Sequence, residues 1–191
     1  DLVIVGPEAA LVAGVADRCA ELHIPCFGPT ASLAKLESSK GFTRMLAERL
    51  GLPSPAYHLS SDAQEAIAWW RALGKPVVVK LDGLAAGKGV IVPEGDDLAA
   101  ATEAAIHELV ALGPIVLEER LTGPECSLMA LCDGTVARPL PIAQDHKRIG
   151  EGDSGANTGG MGAYAPAPIP YDPDDLTACL LYTSPSPRDR T

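Results

Sequence analysis

The chain has 191 residues, room for one large domain or two small ones, and its 47% hydrophobic content is that of a globular α/β protein and excludes a disordered chain. A formal net charge of -10 disfavours nonspecific binding to nucleic acid or anionic membrane and leaves room only for a local basic pocket. No apolar run has the length of a membrane span, and the opening DLVIVGPEAA reads as a strand and turn, not as a signal peptide.

In chain order, LVIV at 2–5 reads as a buried strand closed by Gly6 and Pro7. Leu11, Val12, Val15, Ala16, Cys19 and Ala20 recur at helical spacing, which predicts a helix over 8–22. IPCFG at 24–28 is a second strand, so the opening is a βαβ unit with parallel strands, entered in mid-sheet as in a piece of a larger domain. The five cysteines, Cys19, Cys26, Cys126, Cys132 and Cys179, form no C-x-x-C pair. That scatter fits reduced thiols in the cytoplasm better than a disulfide framework or a zinc site.

Leu33, Leu36, Phe42, Met45, Leu46 and Leu50 predict one helix over 32–51, stopped by Gly51. PSPAYHLSS gives a turn and short strand, and Ser61 or Asp62 can cap a helix running through Trp70 and Leu73. An alanine-rich helix follows at 97–111, then a strand PIVLEERL at 114–121 and a strand pair around the Asp133-Gly134 turn. The glycine- and proline-dense stretch 150–175 has neither period and reads as a long loop, and LLYTSPSPRDRT as a disordered tail.

Between the second and third of these helices lies VVVKLDGLAAGKGVIV, residues 77–92. It fails the P-loop template twice: three residues, not four, separate Gly83 from Gly87, and Gly89 stands where a Ser or Thr hydroxyl is needed. No helix opens after it, which excludes the dinucleotide fingerprint. What remains is a hairpin with a glycine-rich tip, which suits an anion cradle or an ordinary exposed turn. Lys80 ends an apolar strand, where an ammonium needs an anion or an escape to solvent. Glu118 and Glu119 end a later strand, and adjacent strand residues face opposite sides, so one of them points inward. QDHKR at 144–148 gathers an acid, an imidazole and two cations suited to phosphate or carboxylate, or a solvated turn. NTGGMGAY at 157–164 is a second glycine loop or a linker.

Together and in this order, the lysine-ended strand, glycine hairpin and Glu-Glu strand resemble the ATP-grasp superfamily. The strings DLVIVGPEAALVAGVAD, FGPTASLAKLESSKGFTR, KLDGLAAGKGVIV, QDHKR and NTGGMGAYAPAP are similar to the phosphoribosylamine–glycine ligase (glycinamide ribonucleotide synthetase) family within it, over residues 1 to about 178. The resemblance implies an incomplete ATP-grasp fold in the α/β class, preceded by the end of a Rossmann-like domain. Residues 1–31 would close that domain, 32–178 would form the ATP-grasp part with a small ATP-lid subdomain at about 57–120, and 179–191 would be an anomalous tail. It implies ATP-dependent ligation of glycine to 5-phospho-D-ribosylamine through a glycyl phosphate, in de novo purine synthesis. Such chemistry needs positioning and charge neutralisation, not a side-chain nucleophile.

Roles follow residue by residue from the same resemblance. Lys40 and Lys80 would reach ATP phosphates from two sides, and Gly83, Gly87, Lys88 and Gly89 would belong to a flexible flap over them. Glu118, Glu119 and the backbone of Leu121 would hold the adenine edge, and Glu125 the ribose hydroxyls. Asp145, His146, Lys147 and Arg148 would line the substrate side, with Lys80, Asp145, Lys147 and Arg148 as the catalytic set. Asn157, Thr158, Gly159 and Gly160 would cradle the phosphoribosylamine phosphate or the acyl phosphate. Magnesium or manganese is implied, with its ligands expected beyond this chain, so that the parent would be the ligase and this chain alone would not turn over. Ala156 replaces a proline usual in the family. A cytoplasmic monomer acting on small molecules, with no nucleic acid or membrane partner, is expected. Another ATP-grasp carboxylate–amine ligase, or a non-catalytic ATP-binding piece, are the alternatives.

Overall fold

A computed structural model describes residues 1–84, 89–152, 154–158 and 160–168, with Ala156 and Asn157 as backbone only. The chain divides into two compact units, residues 1–46 with 54–120, and residues 47–53 with 121–191.

The first unit opens with strands β1 (Val3–Ile4) and β2 (Cys26–Phe27), paired in parallel across helices α1 (Glu8–Val12) and α2 (Val15–Glu21). The expected βαβ unit is there, with two differences. The helix breaks at Gly14, whose φ of 87° puts it in the left-handed region that glycine enters without strain. The strand is not buried: Ile4 is 70% exposed, because this sheet has two strands and one of its faces is uncovered.

The single helix expected over 32–51 is two, α3 (Ala31–Ser38) and α4 (Lys40–Arg49). Ser39 between them is extended at φ -136°, and its hydroxyl accepts from the Phe42 amide. Serine competing for backbone donors in this way ends one helix and caps the next.

Next come β3 (Tyr57–Ser60), α5 (Ala63–Leu73), β4 (Val77–Leu81), β5 (Val90–Ile91), α6 (Leu98–Val110) and β6 (Ile115–Glu119). Asp62 caps α5 by accepting from the Glu65 amide, Gly74 ends it in the left-handed region, and Asp97 caps α6 through the Ala100 amide. The four strands form one antiparallel sheet in the order β3-β6-β4-β5, and β4 and β5 pair as the arms of the expected hairpin. Side chains alternate across a strand. Val77, Val79, Ile115 and Leu117 therefore pack on one face against Ala66 and Ile67 of α5 and Ala105, Ile106 and Leu109 of α6. That core leaves the other face of β4 and β6, carrying Lys80 and Glu118, for polar chemistry.

In the second unit, β7 (Ala130–Cys132) and β8 (Ala137–Pro139) pair around Asp133-Gly134 as expected. The stretch read as one long loop instead contributes strands. β9 (Gln144–Asp145) pairs with β12 (Ala163–Tyr164), and β10 (Arg148–Gly150) with β11 (Ser154–Asn157). Each has two to four residues, too short to show a period of two.

Candidate functional site

The first unit builds its charged cluster from strand register. Val78 is opposite Glu118, so Lys80, two residues along β4, is Glu118's diagonal neighbour on the same face. The Lys80 Nζ donates to Glu118 Oε2 at 2.6 Å. Arg44, one turn after Lys40 on α4, closes the group with a two-pronged contact, Nε to Oε1 and Nη2 to Oε2, each at 2.9 Å. The Glu118 side chain is only 6% exposed, against 26% for Arg44 and 24% for Lys80. Burial pushes the Glu118 carboxyl up, but hydrogen bonds and charge from Arg44 and Lys80 outweigh it and hold the carboxyl below its usual range. One carboxylate therefore meets two cations, and the cluster keeps a formal charge of about +1, which suits an anion.

Glu119 turns the other way. It lies opposite Val77 and pairs with Lys75 at 2.6 Å, and that hydrogen bond lowers its carboxyl. Glu118 is thus the inward member of the pair and Glu119 the outward one. Leu121, just beyond β6, is exposed.

Lys40 is also in the first unit, but its ammonium sits on two carbonyls, Leu81 O at 3.0 Å and Gly83 O at 2.8 Å. It therefore stands at the root of the glycine hairpin. Gly89 lies on the other side of that root, its carbonyl accepting from the Leu81 amide at 2.7 Å. Gly87 and Lys88 lie outside the described residues, as do Gly159 and the tail at 179–191.

The second unit brings the two remaining strings together. The His146 amide donates to Gly162 O at 2.8 Å and the Met161 amide to His146 O at 3.0 Å, while the His146 and Tyr164 rings lie 5.3 Å apart. The Thr158 amide and hydroxyl both donate to Lys147 O, at 2.7 and 2.9 Å, and the Gly160 amide donates to the Thr158 hydroxyl. Arg148 donates to Gly155 O at 2.9 Å. QDHKR and the second glycine stretch are therefore one local structure. Lys147 lies 3.8 Å from Asp145 and 4.0 Å from Glu125, loose contacts that bind the ammonium weakly. These three line an open depression of about 350 Å³ with Cys126 and Ser127. Of Asn157 only the backbone is described, in β11.

Sequence reasoning missed Arg44 and Asp82. Arg44 was detectable, because Lys40 and Arg44 at i, i+4 place two cations on one helix face. Asp82, which accepts from Ser39 and Gly41, gave no local signal, since its partners are some forty residues away. Among the described residues, no group of three or more His, Cys, Asp or Glu side chains could hold a metal ion, and no helix is long and apolar enough to cross a membrane.

Two family models match this chain. Residues 1–37 match the N domain of phosphoribosylglycinamide synthetase, and residues 38–178 match its ATP-grasp (A) domain. The phosphoribosylamine–glycine ligase of Rhizobium meliloti is 52% identical over 172 residues, which cover 88% of this chain and 41% of that protein. The ligase of Allochromatium vinosum is 51% identical over 175 residues, with 88% and 40% covered. Among solved structures, phosphoribosylamine–glycine ligase from Thermotoga maritima superposes with a TM-score of 0.72 at 30% identity, over 89% of this chain and 42% of that one. The D-alanine-D-alanine ligase of Coxiella burnetii, at 18% identity and a TM-score of 0.62 over 76% of this chain and 42% of its own, shares the fold. The chain spans about 40% of the length of the curated relatives it matches. Its fold is ATP-grasp, and the chain belongs to the phosphoribosylglycinamide synthetase family.

Proposed function

We propose that this chain supplies nucleotide-binding and substrate-binding parts of an ATP-dependent ligase that joins glycine to 5-phospho-D-ribosylamine through a glycyl phosphate, in de novo purine synthesis. The observation that carries this reading is the placement of Lys80. Glu118, itself held by Arg44, fixes its ammonium at the end of β4, where the glycine hairpin leaves the sheet. A lysine held there, in a cluster that keeps net positive charge, is placed to meet phosphate.

In this reading Lys80 neutralises the phosphates of ATP, and the loop from Gly83 to Gly89, with Gly87 and Lys88, covers them. An ammonium has three N–H donors. Lys40 gives two to loop carbonyls, so it can offer a third to phosphate without leaving its place. The segment Glu118, Glu119 and Leu121 serves the adenine through the backbone at Leu121, because the Glu118 carboxylate is committed to cations, the Glu119 side chain turns away and the Glu119 amide already donates to Ala56 O. Glu125 takes the ribose. Asp145, His146, Lys147, Arg148, Asn157, Thr158, Gly159 and Gly160 take the substrate and its phosphate. We further infer that residues 1–31 close a Rossmann-like domain, 32–178 form the ATP-grasp part and about 57–120 its small subdomain. A divalent cation accompanies ATP in such chemistry; none of the described residues is assigned to it.

The test is coupled detection of ADP from this chain joined to the remaining length of a relative such as the Rhizobium ligase. Release that requires both glycine and 5-phosphoribosylamine is the expected result. Release with a different acid or amine, and none with this pair, would point to another ATP-grasp ligase.

A further inference from the structure

Asp82 has no part in the reading above, and most of the bonding capacity of Lys40 is spent on backbone. The two belong to one arrangement. Three consecutive residues at the start of α4 grip three consecutive residues at the end of β4. The Lys40 ammonium donates to Leu81 O and Gly83 O. In the opposite sense, Asp82 Oδ2 accepts from the Ser39 hydroxyl at 3.1 Å, and Oδ1 from the Gly41 amide at 3.2 Å. The carboxylate also meets the positive end of α4, which favours it there.

Glycine at 41 is part of the fit. A Cβ at that position would stand 3.2 Å from Asp82 Oδ2 and 2.9 Å from Leu59 Cδ1, so a side chain there crowds both the carboxylate and the Leu59 methyl. Beyond Asp82 the chain takes a turn that L side chains rarely allow, at Gly83 with φ of 136°. The Asp82 amide is held separately by Pro114 O at 2.8 Å.

We propose that Lys40 and Asp82 form a clasp that fixes the direction in which the chain leaves β4 for the glycine-rich loop. Both are positioning residues: they set where the loop begins, and through it where loop amides stand relative to phosphate. The last clause rests on the nucleotide reading, whereas the clasp itself does not.

Hydrogen exchange on the nucleotide-free 191-residue chain tests it. Lys40→Met and Asp82→Ala each remove two bonds, and each is expected to speed exchange at the amide of residue 82, which Pro114 O holds, by about tenfold. Amides of Val116, Leu117 and Glu118 in the core strand keep their rates. Lys40→Arg, which can still donate to both carbonyls, restores slow exchange at residue 82. Asp82→Asn, a change without loss of volume, falls between wild type and Asp82→Ala. Unchanged exchange at residue 82 in both truncations would overturn the clasp, and so would equal acceleration in the core strand or no rescue by arginine. Exchange is read without nucleotide, so a chain that failed to bind ATP would contradict the nucleotide reading and not this one.

Discussion

Glu118 is the residue on which the cluster turns. Its lowered carboxyl means that the folded state holds the ionised form more tightly than the unfolded chain does. For a depressed carboxyl, that contribution is complete above the ordinary glutamate value of about 4.3 and is lost as pH falls through the lowered one. Glu118→Gln leaves two cations without their anion. At pH 7 it is expected to cost roughly 2–3 kcal/mol, below the range for fully buried pairs because both cations are about a quarter exposed. In thermal melts, the gap between variant and wild type should close as pH drops below about 4. A gap that stayed constant from pH 7 to pH 3 would show that the carboxylate charge contributes nothing. Asp133 behaves as a separate local site. Backbone amides of Thr135 and Val136, with the Thr135 hydroxyl, hold it down to about 2, so it stays ionised through that titration.

At the scale of elements, legibility follows the range of the forces. β4, β6, α5 and α6 were readable because long apolar runs, and caps at Asp62 and Asp97, act within a few residues. The break at Ser39 was legible only in part: the serine that caps α4 is local, but the carboxylate that also holds the start of α4 comes from Asp82. The strands within 148–164 were hidden for another reason: each has two to four residues, too short to show a period. Likewise the facing of Glu118 and Glu119 was known only as an alternative until the register with Val77 and Val78 decided it. Two substitutions check the helix ends. Asp97→Ala removes the cap of α6 and should cost about 1 kcal/mol. Gly74→Ala forces alanine into the left-handed region and should cost a similar amount, about 1 kcal/mol. Urea titrations that showed neither loss would contradict the capping roles.

For the whole molecule, the two units divide the chemistry. The first gathers cations and one buried carboxylate at the root of a glycine hairpin. The second fastens QDHKR to the second glycine stretch. In the sequence each string also suits a solvated turn or a linker, and only together and in order do they resemble phosphate sites. What no string could give was the partner of each charge, since Arg44, Lys80 and Glu118 meet through tertiary packing. The chain is acidic overall, with a net charge of -10, so ATP gains nothing from its long-range field. In the proposed reading, affinity for ATP comes from the local cluster.

Calorimetric titration of ATP into the purified chain, with Lys80→Met and Lys75→Met as paired variants, puts that claim to the most direct test. Both changes remove one lysine that pairs with a glutamate at the end of β6, but on opposite faces of the same sheet. The account predicts saturable binding by wild type, a loss of tenfold or more, about 1.4 kcal/mol, for Lys80→Met, and near-wild-type binding for Lys75→Met. Equal losses in both variants, or no saturable binding by the wild-type chain, would contradict it.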